Sequence, residues 1–250
     1  MEEAIESRVY YSIDIGGRSV PFITDAVVVS WIVMAIIMIS VYFMTRRLKT
    51  VPDGKQNLAE SLVEFIKNFT NGQIGEKHGK AFAAYLCTAL LFLAVSNAIS
   101  IINILPSGET LSAIFHNPAL VNFKIGILPP TKNFNVTLCL AVFSMVIVIG
   151  AEFRYKGIKG WLKSFYKPTP VSAFIKILDY VVRPMSLCMR LFGNVLGALI
   201  VMELLYHAVP LFAPAVFGVY FDIFDGLLQA YVFVFLTALY IAEAVETAEE

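Results

Sequence analysis

Arg190 stands in the middle of MSLCMRLFGNVLGALIVMELL, residues 185–205, a place where charge is costly. Insertion scales put a charged side chain at the centre of a membrane helix at about 2.5–3.5 kcal/mol. Ser186, Gly193, Asn194 and Gly197 stand three, four or seven residues from it in either direction, so on a helix they share its face. A guanidinium is a permanent cation with no acceptor: it holds an anion but does not carry a proton. No acid lies within a helical turn of Arg190, so its counter-ion is expected from another element or another chain. The competing reading has Arg190 anchoring helix packing through backbone carbonyls or snorkelling to an interface. Gly193 and Gly197 form a small-xxx-small pair, which lets a second helix come close.

A second set lies further on. Asp222, Asp225, Gly226 and Gln229 share one face at α-helical spacing, and Glu203 and His207 form an i, i+4 pair. Acids and a histidine leading away from a fixed arginine suit a protonatable, water-lined path across part of a membrane. An ordinary pair at the membrane surface is the alternative for Glu203 and His207, and a surface position the alternative for Asp225.

Soluble-enzyme chemistry finds no support. GEKHGKA at 75–81 has one residue too few between its glycines for a phosphate loop, and Ala81 where a magnesium-binding hydroxyl belongs. HExxH and GxSxG are absent, and His78, His116 and His207 are too scattered for a metal site. Cys87, Cys139 and Cys188 sit dozens of residues apart in apolar runs and read as packing residues. No metal and no cofactor is expected.

These residues must be positioned by membrane helices. Of the 250 residues 58% are hydrophobic and 15% charged, with a mean hydropathy of +0.74, outside the range of soluble domains. The formal charge is zero, so no basic excess argues for nucleic acid. Residues 1–20 are polar before the first apolar run, the wrong order for a cleaved signal peptide, so that run is expected to be retained. Apolar spans are expected at 21–44, 81–106 and 134–153, with two longer ones at 171–209 and 211–245. As one helix, 171–209 would be roughly 58 Å long at ~1.5 Å per residue, against a hydrocarbon core of ~30 Å. The two long segments therefore either break, with Pro184 a candidate kink, or lie steeply inclined as a hairpin. Leu58, Leu62, Phe65, Ile66 and Phe69 give 55–72 an apolar helical face, which predicts a helix on the inner membrane surface, or one packed on other protein. Arg46, Arg47, Lys49 and the basic stretch 154–167 place two loops on the cytoplasmic side, the N-terminus outside and the C-terminus inside.

RPMSLCMRLFGNVLGALI followed by LLQAYVFVFLTALYIAEA resembles the a subunit of F-type ATP synthases, as do NVTLCLAVF after PPT and the INILP end of the second span. The resemblance runs from about residue 21 onward. It implies an all-α membrane protein of about five transmembrane helices plus one interfacial amphipathic helix, the last two inclined against a ring of c subunits. It implies that Arg190 is the fixed stator charge met by a carboxylate on each passing c subunit, with Asn194 a polar partner and Gln229 facing the arginine. Two aqueous half-channels then deliver protons or sodium ions to the ring and collect them, while ATP chemistry resides elsewhere in the complex. The implied partners are the c-ring, the peripheral stalk b subunits, the remaining synthase and membrane lipid. The implied setting is a bacterial-type plasma (inner) membrane.

The chain departs from the family pattern in places. Leu199 stands where many members carry Glu or His, and Glu203 one turn on is the candidate replacement. Asp222 takes a position where others have Glu or His; Asn103 stands where some have Asp; Asp179 fits a position that is often acidic. Two rival functions are a self-contained secondary transporter, with Arg190 binding an anionic substrate, and a structural scaffold. Internal repeats would favour the transporter, and none is visible.

Overall fold

A computed structural model describes residues 9–15, 18–46, 54–99, 129–166, 170–208 and 213–246. Five helical stretches among them are long and apolar enough to cross a membrane: Asp25–Thr45, Glu76–Ala98, Phe134–Gly157, Phe174–Leu205 and Val216–Glu246. The chain is a multi-pass α-helical membrane protein with one small exception. Strands β1 (Val9–Ile15) and β2 (Arg18–Thr24) pair antiparallel at the N-terminal side. Their sequences, VYYSIDI and RSVPFIT, are rich in β-branched and aromatic residues.

The hairpin shortens the first expected span. Residues 21–24 belong to β2, and helix α1 runs from Asp25 to Thr45. Asp25 in its first turn meets the positive end of the helix dipole, and Pro21 has no N–H to contribute to a helical ladder. Ala26, Val29 and Val33 are buried at three-four spacing, while Trp31, Met38 and Phe43 stand outward, as an apolar helix in lipid allows.

Helix α2 (Gly54–Ile74) covers the segment expected as amphipathic. Ile66 is buried, and the Phe69 ring lies tilted at 5.6 Å from the Tyr231 ring and 6.2 Å from the Phe235 ring. Part of this face is thus packed on protein, while Leu58 and Phe65 on it remain exposed. Helix α3 (Glu76–Ala98) starts five residues before the expected span; residues 100–106 of that span lie outside the described ones. A 3-10 turn (Pro130–Lys132) leads into α4 (Phe134–Tyr166). Gly157 breaks α4 with a φ of 67°, a left-handed conformation that suits glycine.

Helix α5 (Pro170–Ala208) is one continuous helix of 39 residues that runs through Pro184. Proline removes a single N–H donor there, a loss that membrane helices tolerate, so the break considered at Pro184 does not occur. The last segment is composite: α6 (Ala213–Val219), a π-helical turn (Tyr220–Asp225) and α7 (Gly226–Glu246). The Gly226 N–H reaches back to the Phe221 carbonyl, an i→i+5 bond.

The described residues group into two units, drawn from Met1–Ile37, Phe92–Val136 and Phe192–Gln229, and from Met38–Leu91, Thr137–Leu191 and Ala230–Glu250. In the first, Phe134 packs edge-on against Phe192 at 5.4 Å. In the second, the Tyr85 and Ser144 hydroxyls are hydrogen-bonded at 2.6 Å, and Leu86, Ala141, Leu187, Leu191, Phe233 and Ile241 are buried.

Candidate functional site

On α5 the buried residues Leu187, Cys188 and Leu191 occupy one arc of the helix. Arg190, Gly193 and Gly197 are exposed on another, and Ser186 and Asn194 flank them half-buried. Arg190 has no ion pair or hydrogen bond among the described residues. A Cβ built at Gly193 or Gly197 meets nothing within 4 Å, so nothing described in this chain requires glycine there. A permanent cation thus stands beside two glycines on a part of α5 that no described residue covers. Glu203 is exposed too, but thirteen residues from Arg190 at about 100° per residue carry it off that face. His207 lies on the same helix, its side chain outside the described set, and Asn103 lies outside the described residues altogether.

The π turn corrects the simple spacing expected for Asp222, Asp225, Gly226 and Gln229. An i→i+5 turn rotates residues differently from an α turn, so Asp222 and Gln229 are not related by α-helical offsets alone. Both aspartates are half-buried and Gln229 is buried. Gly226 lies against Asn97: its carbonyl accepts from Asn97 Nδ2 at 2.9 Å, and Thr131 Oγ1 donates to Asn97 Oδ1 at 2.8 Å. One asparagine thereby ties α3, the 3-10 turn and the start of α7 together. A Cβ on Gly226 would sit 2.8 Å from Asn97 Cβ, a contact that requires something to move. Gly226→Ala is therefore expected to lower the stability of the purified chain by about 1–3 kcal/mol, read as a drop in melting temperature in detergent. An unchanged melting temperature would show that the approach is not tight.

Beside this knot, burial pushes the Lys132 ammonium down to about 8, against the pull of the Asp222 carboxylate. Gln229 Nε2 and Ser96 Oγ are buried with no hydrogen-bond partner among the described residues.

The second unit holds two charged clusters, of which only Asp179 was singled out from sequence. Glu152, buried near the Gly157 break, accepts from Lys156 Nζ at 3.0 Å, from Trp161 Nε1 at 3.2 Å and from the Tyr180 hydroxyl, with Lys176 Nζ at 3.4 Å. Arg183 Nη2 donates to Glu243 Oε1 at 2.8 Å and lies 3.5 Å from Asp179 Oδ2, with its guanidinium 4.9 Å from the Tyr240 ring centre. This cluster clamps α5 to α7. The signal for Arg183 was present: it precedes Arg190 by seven residues, hence on the same helical face. Asn97, Thr131 and Lys132 carried no such signal, since their partners are distant in the chain. No group of residues suited to hold a metal ion occurs among the described residues.

A family described as ATP synthase A chain matches residues 27–242. The protein named "ATP synthase subunit a, sodium ion specific" from Propionigenium modestum is 32% identical over 228 residues, which cover 91% of this chain and 76% of that one.

Proposed function

Since the chain belongs to the ATP synthase A chain family, we propose that it is the stationary subunit through which ions reach and leave a rotating ring of c subunits. Arg190 is the stator charge in this reading, and each ring carboxylate is its counter-ion in turn. The observation that carries it is the exposed face of α5, where an unpaired arginine lies among glycines that no contact described within the chain demands. A ring helix passing close by needs both properties: clearance and a fixed cation.

The guanidinium favours the ionised form of a carboxylate beside it and, being a permanent cation, does not pass a proton onward. An ion must therefore leave the ring on one side of Arg190 and join it on the other, which demands two separate aqueous approaches. Asn194, Gln229, Asp222 and Asp225 belong to these approaches, and Ser186 lies along the Arg190 face; Glu203 and His207 are the more distant members. Protons or sodium ions are the cargo, and a membrane potential of 100 mV supplies about 2.3 kcal/mol per charge moved. The basic stretches at 46–49 and 154–167 support a cytoplasmic position for their two loops and an external N-terminus. The c-ring, the peripheral stalk and the remaining synthase are the partners; ATP chemistry lies outside this chain. The family match supports this subunit role over a self-contained transporter.

Cysteine cross-linking tests the reading. Gly193→Cys and Gly197→Cys are expected to form disulfides with a cysteine placed beside the carboxylate of a c subunit in the assembled complex, and to stall ATP-driven rotation. If both cysteines react with a membrane-soluble maleimide but neither cross-links to the ring, this face does not meet the rotor.

A further inference from the structure

We propose that Lys132 is the resident counter-ion of Asp222, so that the two side chains act as one group of the ion path. The inference rests on the assignment of Asp222 to that path. Its basis is a place in the fold. Thr131 is fully buried and bonded to Asn97, which in turn holds the Gly226 carbonyl. Lys132 follows Thr131 directly, and Asp222 precedes Gly226 by four residues, so the asparagine tie brings the 3-10 turn beside the stretch of helix that carries the aspartate. The tie thus sets Lys132 and Asp222 on neighbouring elements, where the aspartate charge reaches the lysine without a direct ion-pair contact.

The surroundings of the two residues are not those of a protein surface. Ser96 is the residue before Asn97 and Gln229 lies three after Gly226; each buries a polar atom that no described group satisfies. Buried polar atoms almost always find a partner, often water, and an amide N–H donor and a hydroxyl can each bond to water, so this locality suits a wet path. A lone aspartate in such a place would either stay protonated or hold a cation too firmly to release it. Conduction requires binding strong enough for arrival and weak enough for departure. A fixed ammonium meets both needs: it favours the ionised carboxylate and cancels most of its charge, so the site does not become a trap.

The test uses the complete synthase in inverted membrane vesicles, with ATP-driven ion uptake and passive ion flux measured at matched assembly. Lys132→Met leaves the aspartate without its partner and is expected to lower both rates about tenfold; Lys132→Arg should recover most of the loss. Asp222→Asn should cause a comparable fall. Lys132→Met with Asp222→Asn should be no slower than the worse single variant, because a group that acts as a unit is lost only once. Wild-type rates for Lys132→Met, or effects that multiply in the double variant, would overturn the pairing. If Lys132→Met does not assemble, the exchange Lys132→Asp with Asp222→Lys decides: recovered assembly and flux support the pair, and no recovery refutes it. Ring cross-links at Gly193→Cys together with wild-type flux for Lys132→Met would reject the pairing alone. Failed cross-links would reject the underlying reading, whatever Lys132 does.

Discussion

Arg190→Ala is expected to abolish ATP-driven ion pumping, by at least about a thousandfold, in a complex that still assembles. The magnitude follows from what the guanidinium does to a carboxylate beside it. Opposite charges about 4 Å apart attract by about 4 kcal/mol at an effective dielectric of about 20, and one pKa unit corresponds to about 1.36 kcal/mol. Removing the cation therefore withdraws about three pKa units of preference for the ionised ring carboxylate, and with it the step in which the ring gives up its ion. Assembly survives because Arg190 is exposed and bonded to no described residue of its own chain; such surface substitutions commonly change stability by about 0.5 kcal/mol or less. Arg190→Lys keeps a charge but replaces a planar fork with a compact, strongly hydrated ammonium, so it should pump slowly. The measurement is ATP-driven uptake in inverted vesicles, normalised to the amount of assembled complex. Coupled pumping at the wild-type rate by Arg190→Ala would remove the stator role from this residue.

How far the sequence reaches can be seen at Arg190 and at Gly226. A charge in a long apolar run is costly wherever the chain folds, so Arg190 and its small-residue face were legible from a single helix with no tertiary information. The asparagine knot was not: Asn97, Thr131 and Gly226 meet only in three dimensions, and nothing local distinguishes Asn97 from a polar residue at a helix end. The π turn was not legible either. It lies immediately before the glycine pressed against Asn97, whereas the α period extrapolated from sequence assumes a helix free of neighbours. The N-terminal hairpin is different, because its signal was present and passed over: Gly16-Gly17 separates two β-rich runs, a hairpin pattern. The amphipathic face of α2 was legible as a face, but which part meets protein was not. Ile66 and Phe69 pack while Leu58 and Phe65 do not, and that choice belongs to Tyr231 and Phe235.

The second large effect is expected at Glu152, where stability rather than ion transfer is at stake. Its carboxylate serves two ammonium groups, Lys156 at 3.0 Å and Lys176 at 3.4 Å, whose side chains are 4% and 21% exposed. It also accepts from Trp161, beyond the Gly157 break, and from Tyr180 on α5, while Trp161 Nε1 reaches the Tyr180 oxygen at 3.0 Å. One carboxylate thus holds both sides of the break and the first half of α5. Glu152→Ala withdraws the carboxylate that Lys156 and Lys176 share, and removal of one member of a buried ion pair costs about 3–5 kcal/mol. The detergent-solubilised protein should melt at a markedly lower temperature and accumulate poorly in membranes. Glu152→Gln keeps an oxygen for the tryptophan and tyrosine but loses the charge, so its melting temperature should lie between those of Glu152→Ala and the parent. Adding Lys176→Met to Glu152→Gln removes one of the two cations that shared the carboxylate and should restore part of the loss, because the penalty lies in charge balance more than in missing contacts. A Glu152→Gln protein as stable as the parent would show that hydrogen bonding, and not charge, holds this end of α5.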